Sequence, residues 1–390
     1  MLRRLLFLNC VLTDFAGFIV IFAVSRRLAE LESSQWYLGL VGAGVSLSAG
    51  VGSLAGGWLA HRFDGRTWFL IGAVLLTCST GACGVSSPGD AWFLPAYWLL
   101  GIGIGLLYPP LVGWLNRGET GHAHVAGVSR TLILFCISWN VGLMCGQLTA
   151  GSLFSWGDWW IYGVALAIAI INIVVAAIAA SLVRPFSPES AGATSVAAGD
   201  AQLAASFKRL SWIANLGGMF GGSMVIHLLP GLAVAIGIPP DDHGRLLGCW
   251  RAVVIATYLV LHVTRFWHYR IAVALGSQML AATDLVLVAS ADSGPCCWSG
   301  LSLLGQLGVQ PISPDCSTAR SAAQHSAAGE AALQGDAGNG DGNRDVHQRR
   351  SRIRDQRAGA HLLAAGVLLL LSTIQYGCGS GQPQCRNPLR

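Results

Sequence analysis

Asp14 is a carboxylate inside an apolar run that extends from about residue 5 to residue 24. A run of about 20 apolar residues is long enough to cross a bilayer. An ionisable side chain within such a run costs enough free energy that a functional role is the first hypothesis. Two roles fit Asp14: it can carry a proton, or it can pair with an arginine or accept hydrogen bonds from a neighbouring helix. Both stay open, with the structural role favoured.

Two uncharged amides, Asn140 and Gln147, lie in another apolar run. They are seven residues apart, so they share one face of a helix. Such amides suit hydroxyl-rich or zwitterionic solutes. They can equally tie helices together through hydrogen bonds.

Five further residues complete the candidates for a solute or ion pathway: Tyr97, Tyr108, Asn215, His227 and Arg251. Arg251 is predicted about one turn into its helix, where it either extends towards the lipid surface or binds an anionic substrate. His227 is predicted near the external end of its helix, which also fits a hydrated interfacial residue. The tyrosines can line a cavity, although aromatic residues of membrane helices more often pack or lie at the interface.

The composition predicts a membrane protein. Of the 390 residues, 53% are hydrophobic and 11% are charged, which is more apolar than a water-soluble core of this size requires. We identify nine membrane spans, and we keep the first as a helix because no small-residue cleavage site follows it. The spans cover approximately residues 5–24, 37–60, 67–86, 92–115, 129–154, 159–183, 211–236, 247–264 and 271–291.

The net charge of +5 comes from basic residues in short loops rather than on one face, so it reports topology and does not indicate nucleic-acid binding. With the N-terminus in the cytoplasm, most of these residues lie inside. Only Arg26, Arg27 and Arg245 then fall clearly outside. We therefore predict a multi-pass protein of the cell (inner) membrane with a cytoplasmic N-terminus.

The sequence does not point to an enzyme or to a bound cofactor or metal. The 11 cysteines lie mostly singly inside predicted helices, without metal-like spacing. Common hydrolase, metalloprotease and phosphate-binding motifs are absent from the sequence.

A glycine-rich helix end between the second and third spans leads into a short charged loop, with Gly-Trp-Leu-Ala-His-Arg-Phe-Asp-Gly-Arg over residues 57–66. This stretch resembles the signature loop of the major facilitator superfamily of secondary transporters, Gly-x-Leu-Ala-Asp-Arg-x-Gly-Arg. The resemblance implies a conformational latch formed by Gly57, His61, Arg62, Asp64, Gly65 and Arg66. His61 occupies the place of the family's aspartate, and Asp64 is an additional acid that can substitute for it.

The second span also carries a groove of small residues at Gly44, Ser48, Gly52 and Gly56. Small residues allow close approach of helix backbones. In the family this helix slides against the other half, so the groove suits a moving interface. Static packing is an equally good interpretation.

The fold class that we predict is an all-α membrane protein, a helical bundle of the major facilitator type with a complete six-helix N-terminal half and an incomplete C-terminal half. The resemblance implies two halves related by a parallel repeat, with the site between them near the midplane. The predicted divisions are an N-terminal bundle over 1–183, a cytoplasmic linker over 184–210 and a partial bundle of three spans over 211–291.

Residues 292–390 differ in character from the rest of the chain. Their polar composition over 311–358 is typical of disorder, and only a short apolar segment at 361–375 follows. We favour a shifted reading frame over a genuine disordered extension. We expect the family resemblance to end near residue 291.

The predicted function is a secondary active transporter of a small solute that works by alternating access, with the proton as candidate coupling ion. Its expected partners are a small-molecule substrate, protons and the lipid bilayer, and we expect a monomer. One alternative is a non-transporting product of a frameshifted gene, and a less favoured one is a polytopic membrane enzyme. The residues do not distinguish sugars, amino acids, nucleosides and organic anions as substrates.

Overall fold

A computed structural model describes residues 1–116, 122–183 and 222–263, together with the single residues 276, 279 and 283. The described residues form helices and contain no strand. The first six helices are each long and apolar enough to cross a membrane, which confirms the first six predicted spans. The helices are α1 (Leu2–Glu30), α2 (Gln35–Arg62), α3 (Gly65–Val85), α4 (Phe93–Leu115), α5 (His122–Trp156), α6 (Asp158–Leu182), α7 (described over Gly222–Ala235) and α8 (Pro240–Val263).

Several predicted features lie outside the described residues. They are the linker at 184–210, the ninth span at 271–291 apart from three single residues, the tail at 292–390 and the candidate Asn215. The division of the chain into domains therefore stays a prediction.

Short connections make consecutive helices run up and down through the bundle. We call the end where α1 finishes and α2 begins the α1–α2 end; α3 and α5 also finish there. Only Gly157 separates α5 from α6, and its φ of 110° belongs to a conformation that residues with a side chain rarely adopt. This glycine thus permits an immediate reversal of the chain.

Exposed tryptophans mark the α1–α2 end. They are Trp36 at the start of α2, Trp92 just before α4, Trp156 at the end of α5, and Trp159 and Trp160 at the start of α6. Tryptophan is enriched where a membrane meets water, because its ring is apolar and its N–H can be hydrated. This end of the bundle therefore fits a membrane surface.

The small-residue groove of α2 packs against α4, within the same half. A side chain at Gly52 would approach the carbonyl oxygen of Ile102 to 2.5 Å, and one at Gly56 would approach the Leu106 backbone to 3.1 Å. Gly105 of α4 lies in turn against the backbone of Ala49. The structure thus assigns this groove to static packing inside one half, and the moving-interface interpretation is wrong for these contacts.

A different stripe on α2 meets the second half of the chain. The ring of His227 on α7 fills the place that a side chain at Gly42 would take. One turn further, the hydroxyl oxygens of Ser46 and Ser223 are 3.5 Å apart.

α1 is held between α5 and α6. Gly142 and Gly146 of α5 lie against the α1 backbone, since side chains there would meet Val11 and Phe15. On the other side, Asn9 donates to Asn172 of α6 at 2.7 Å, and Asn172 donates to Thr13 at 2.9 Å. Glycine contacts on one side and buried amides on the other fix the register of α1.

The two parts of the chain meet most closely where α5 packs antiparallel to α8. Side chains at Gly151 and Gly244 would overlap each other's backbone, at 3.1 Å and 2.9 Å. Ser155 also lies 3.3 Å from the Asp241 carboxylate, so this group of contacts joins the halves near the α1–α2 end.

We expect Gly105→Ala to lower the stability of the bundle, because its new methyl group would overlap the α2 backbone. Overpacking of this kind costs about 1–3 kcal/mol. Gly113→Ala on the same helix is the control, since no atom lies within 4 Å of the added carbon. Thermal unfolding in detergent measures both variants. Equal midpoints would contradict the tight α2–α4 contact.

Candidate functional site

Asp14 lies at the middle of α1, where this helix meets α4 and α5. The Tyr108 hydroxyl of α4 donates a hydrogen bond to its carboxylate. On the α5 side, a side chain at Gly142 would come within 2.9 Å of Asp14 Cβ. Asp14 is 1% exposed, so the predicted intramembrane carboxylate is buried and held by one neutral donor.

Arg251 lies much deeper in its helix than the sequence suggested. α8 begins at Pro240, 11 residues earlier, so Arg251 is about three turns from that end rather than one. Its side chain is 9% exposed, and its guanidinium carbon lies 3.9 Å from the centroid of the Trp250 ring. Of the two alternatives for Arg251, extension towards the membrane surface does not fit this position, and binding of an anionic substrate stays a prediction.

Asn140 connects Arg251 to the N-terminal half. Its side-chain nitrogen donates to the Cys136 carbonyl at 2.8 Å, which leaves its side-chain oxygen 3.4 Å from Arg251 Nη1. Arg251 Nε has no hydrogen-bond partner among the described residues. The amide thus accepts one long hydrogen bond from a guanidinium that is otherwise weakly satisfied.

Asp14 and Arg251 bring opposite charges to the boundary between the halves. They do not form an ion pair, because no described carboxylate lies within 4.0 Å of the Arg251 nitrogens. We call Asp14, Tyr108, Asn140 and Arg251 the central cluster. The structure therefore brings together four of the eight predicted pathway residues.

Gln147 lies two turns from Asn140, on the side of α5 that packs against α8. It is 1% exposed, and neither polar atom of its side chain has a partner among the described residues. Its backbone oxygen approaches Gly244. The shared face of the two amides is thus the face that meets the second half.

His227 and Tyr97 lie nearer the α1–α2 end, away from the central cluster. His227 is 6% exposed, and its Nδ1 is 3.4 Å from Ser25 Oγ, so it is not the hydrated residue that its position suggested. Tyr97 is fully buried beside Ser25. Tyr97 precedes Tyr108 by about three turns of α4, so only Tyr108 reaches Asp14.

Arg26 is a functional candidate that the sequence analysis missed and placed in an external loop. α1 continues to Glu30, which makes Arg26 a helical residue that is 5% exposed. It donates to Glu30 at 2.9 Å and to the Ile238 carbonyl at 3.0 Å, and so links α1 to the segment before α8. The spacing of four residues between Arg26 and Glu30 was the signal for a longer helix.

The signature loop is a two-residue connection, Phe63–Asp64, between α2 and α3. Asp64 caps α3 by accepting a hydrogen bond from the Arg66 amide at 3.1 Å. The Arg66 guanidinium donates to the Val183 carbonyl at the end of α6 and lies 3.9 Å from the Asp64 carboxylate. These residues therefore tie three helices of the same half together.

The other loop residues have smaller contacts. Arg62 lies with its guanidinium carbon 4.7 Å from the Trp58 ring centroid, and Gly57 leaves room for Pro109 at 4.0 Å. Gly65 begins α3, and the side chain of His61 lies outside the described residues.

Comparison with known proteins identifies the family. The sequence profile of the Major Facilitator Superfamily matches residues 6–333, so this chain belongs to that superfamily. Its family and fold are those of transporters, and it is a multi-pass membrane protein. The match continues beyond residue 291, where the sequence analysis expected it to end.

Individual relatives are distant. An uncharacterized MFS-type transporter of Mycobacterium tuberculosis is 29% identical over 160 residues, which are 41% of this chain but only 27% of that protein. A bacterial homolog of the human lysosomal transporter Spinster, solved in an inward-facing and occupied conformation, has 13% identity and a TM-score of 0.70 over 97% of this chain and 96% of its own. A structure from work on proton-dependent oligopeptide transporters has 13% identity and a TM-score of 0.60 over 96% of this chain and 100% of its own. These two solved structures have the same fold as this chain.

We expect a double-mutant cycle to show that Asp14 and Tyr108 are energetically coupled. Asp14→Ala and Tyr108→Phe each remove the same hydrogen bond, and an intramolecular hydrogen bond contributes about 0.5–1.5 kcal/mol, or about 1.5–3 kcal/mol where one partner is charged. The change in unfolding free energy of the double variant should therefore be smaller than the sum of the single changes. Asp14→Ala with Tyr37→Phe is the control pair and should be additive. Additivity in both pairs would rule out the contact.

Proposed function

We propose that this chain is a secondary active transporter that carries a small solute by alternating access, with the central cluster on the solute and ion pathway. The observation that carries the proposal is the position of Asp14 and Arg251. They are buried, ionisable groups of opposite charge type, and different halves contribute them at the middle of the bundle.

Ionisable side chains buried at the middle of a membrane protein cost free energy, so their presence indicates a functional role. An ionisable residue inside a membrane protein faces its interior and is commonly part of an ion or substrate path. Because one charge lies on α1 and the other on α8, a movement of one half relative to the other changes their interaction. A ligand that alters this interaction would therefore shift the balance between conformations.

The other predicted residues have supporting roles in this proposal. Tyr108 orients Asp14, which is the candidate proton carrier, and the amides of Asn140 and Gln147 contribute neutral hydrogen-bonding groups. His227 and Tyr97 belong to the part of the path nearer the α1–α2 end, and Asn215 remains a candidate. The loop over residues 57–66 acts as the conformational latch.

The topology follows from the charge distribution of the loops. We infer a monomer in the cell (inner) membrane with a cytoplasmic N-terminus, which makes the α1–α2 end external. The described contacts between halves would then close the external side. The proton-dependent oligopeptide transporters among the structural neighbours support the proton as coupling ion.

Uptake by proteoliposomes tests the role of Asp14. We expect the full chain to accumulate at least one member of a panel of labelled sugars, amino acids, nucleosides and organic anions when a proton gradient is imposed. Asp14→Asn should reduce gradient-driven accumulation by about tenfold or more, because an amide cannot bind and release a proton in this range. Glu32→Gln, at an exposed residue between α1 and α2, is the control and should retain uptake.

Two results would contradict parts of the proposal. Gradient-driven uptake that is unchanged in Asp14→Asn would remove Asp14 from the coupling mechanism. Failure to accumulate any member of the panel would count against transport itself.

A crosslink between the halves tests alternating access. The Ser46 and Ser223 hydroxyl oxygens are 3.5 Å apart, so this pair of positions is the one that we choose for an oxidative crosslink between cysteines. We expect Ser46→Cys with Ser223→Cys to stop uptake under oxidation, and a reducing agent to restore it. Each single variant is the control. Full uptake by the crosslinked protein would show that α2 and α7 need not separate.

A further inference from the structure

We infer that the transported solute is a small organic anion with a carboxylate group, and that Arg251, backed by Trp250, is the subsite that binds this group. The inference rests on the proposed function. It names the class of substrate, which the sequence left open.

The first observation is that Arg251 is poorly satisfied for a buried cation. It is 9% exposed, Nε has no described hydrogen-bond partner, and Nη1 makes a single long contact of 3.4 Å with Asn140. Leaving a buried charged donor unpaired is costly. A ligand with an acidic group would supply the missing acceptor.

Arg26 is a structural arginine of the same protein, and it too has one buried nitrogen, Nη1, without a partner among the described residues, so the difference from Arg251 lies in its other contacts. It is 5% exposed, and it reaches the Glu30 carboxylate at 2.9 Å and the Ile238 carbonyl at 3.0 Å. Arg251 has no carboxylate within 4.0 Å among the described residues. The described part of the protein therefore provides a carboxylate partner for Arg26 and none for Arg251.

The second observation is the stacking of Arg251 on Trp250. The guanidinium carbon lies 3.9 Å from the ring centroid, and Trp250 is itself 3% exposed. Gly222 on α7 lies beside the indole ring, since a side-chain carbon there would be in van der Waals contact with the ring edge at 3.8 Å. A cation–π contact at this distance favours a position of the guanidinium over the ring, and the planar guanidinium can donate two parallel hydrogen bonds to the two oxygens of a carboxylate.

The third observation is the position of Asp14. Neither Asp14 nor any other described carboxylate lies within 4.0 Å of the Arg251 nitrogens, so Asp14 does not occupy the guanidinium edge. The negative charge of Asp14 would therefore repel an anionic solute bound at Arg251. A cationic solute would instead need the Asp14 carboxylate as its binding partner. Removal of the Asp14 charge thus distinguishes the two classes of solute by the sign of its effect.

Ligand binding to the purified full chain tests the subsite apart from transport. Thermal unfolding in detergent is measured with lactate, benzoate and gluconate, each beside its uncharged amide, and with benzylamine as a cation. A ligand that binds the folded state raises the unfolding temperature. We expect at least one carboxylate to raise it, and its amide and the amine to have no such effect.

Variants then assign the effect to Arg251. Arg251→Gln should weaken the apparent affinity for the carboxylate by about tenfold or more, and Arg251→Lys should also weaken it because an ammonium does not present a planar fork. Arg245→Gln on the same helix should leave it unchanged, since Arg245 is exposed and pairs with Asp242 at 3.1 Å. Asp14→Asn should strengthen it, because the variant removes the carboxylate that competes with the ligand. Should Arg251→Gln fail to fold, Trp250→Phe should still lower the affinity through weaker stacking.

The outcomes separate this inference from the proposed function. Binding of amides or amines, or carboxylate binding that Arg251→Gln leaves intact, would overturn the anion subsite while transport could still be shown in proteoliposomes. Carboxylate binding that depends on Arg251, without uptake of that carboxylate, would support the subsite and contradict the transport proposal. Stabilisation by none of the carboxylates would overturn the inference.

Discussion

Close approach of helix backbones at glycine is the constraint on which the rest of this structure depends. In lipid there is no hydrophobic force between helices, so their association relies on packing and on hydrogen bonds. Gly105 brings α4 against α2, Gly142 brings α5 against α1, and Gly244 brings α8 against α5. These contacts determine which polar side chains meet at the centre. A larger residue at any of them would move a helix that carries a member of the central cluster.

The helices were predictable from sequence because length and hydropathy decide which segments can cross a bilayer. The predicted bounds of a helix were wrong where the helix continues past its apolar run. α1 extends beyond residue 24 through Arg26 to Glu30, and α8 begins at Pro240, before its apolar run. A charged residue ends a hydropathy window, but it does not end a helix. The Arg26–Glu30 spacing and the acidic first turn of α8 were the available helix signals.

The candidate site was predictable as a set of residues and less so as an arrangement. Asp14, Asn140 and Arg251 are conspicuous because each is polar within an apolar run, and burial of each agrees with that choice. Their mutual placement depends on how α1, α4, α5 and α8 pack, which no local pattern in one helix specifies. Sequence could not separate Tyr108, which reaches Asp14, from Tyr97, which does not. Trp250 was not singled out, because an aromatic residue in an apolar helix resembles ordinary packing until its distance from Arg251 is known.

The contacts between the halves are of two kinds, and only one of them resembles the packing inside the N-terminal half. Inside the half, α2 and α4 meet through backbone atoms at glycines, which leaves little freedom to shift without overlap. Between α1 or α2 and α7, the described polar contacts are single side-chain hydrogen bonds at 3.4–3.5 Å, made by Ser25 with His227 and by Ser46 with Ser223. Hydrogen bonds of this length are individually weak. α5 and α8, in contrast, meet as tightly as helices inside a half. If the halves rock as proposed, the α2–α7 side can separate at low cost while α5 and α8 stay in contact, and Asn140 and Arg251 lie on the helices that would form the axis.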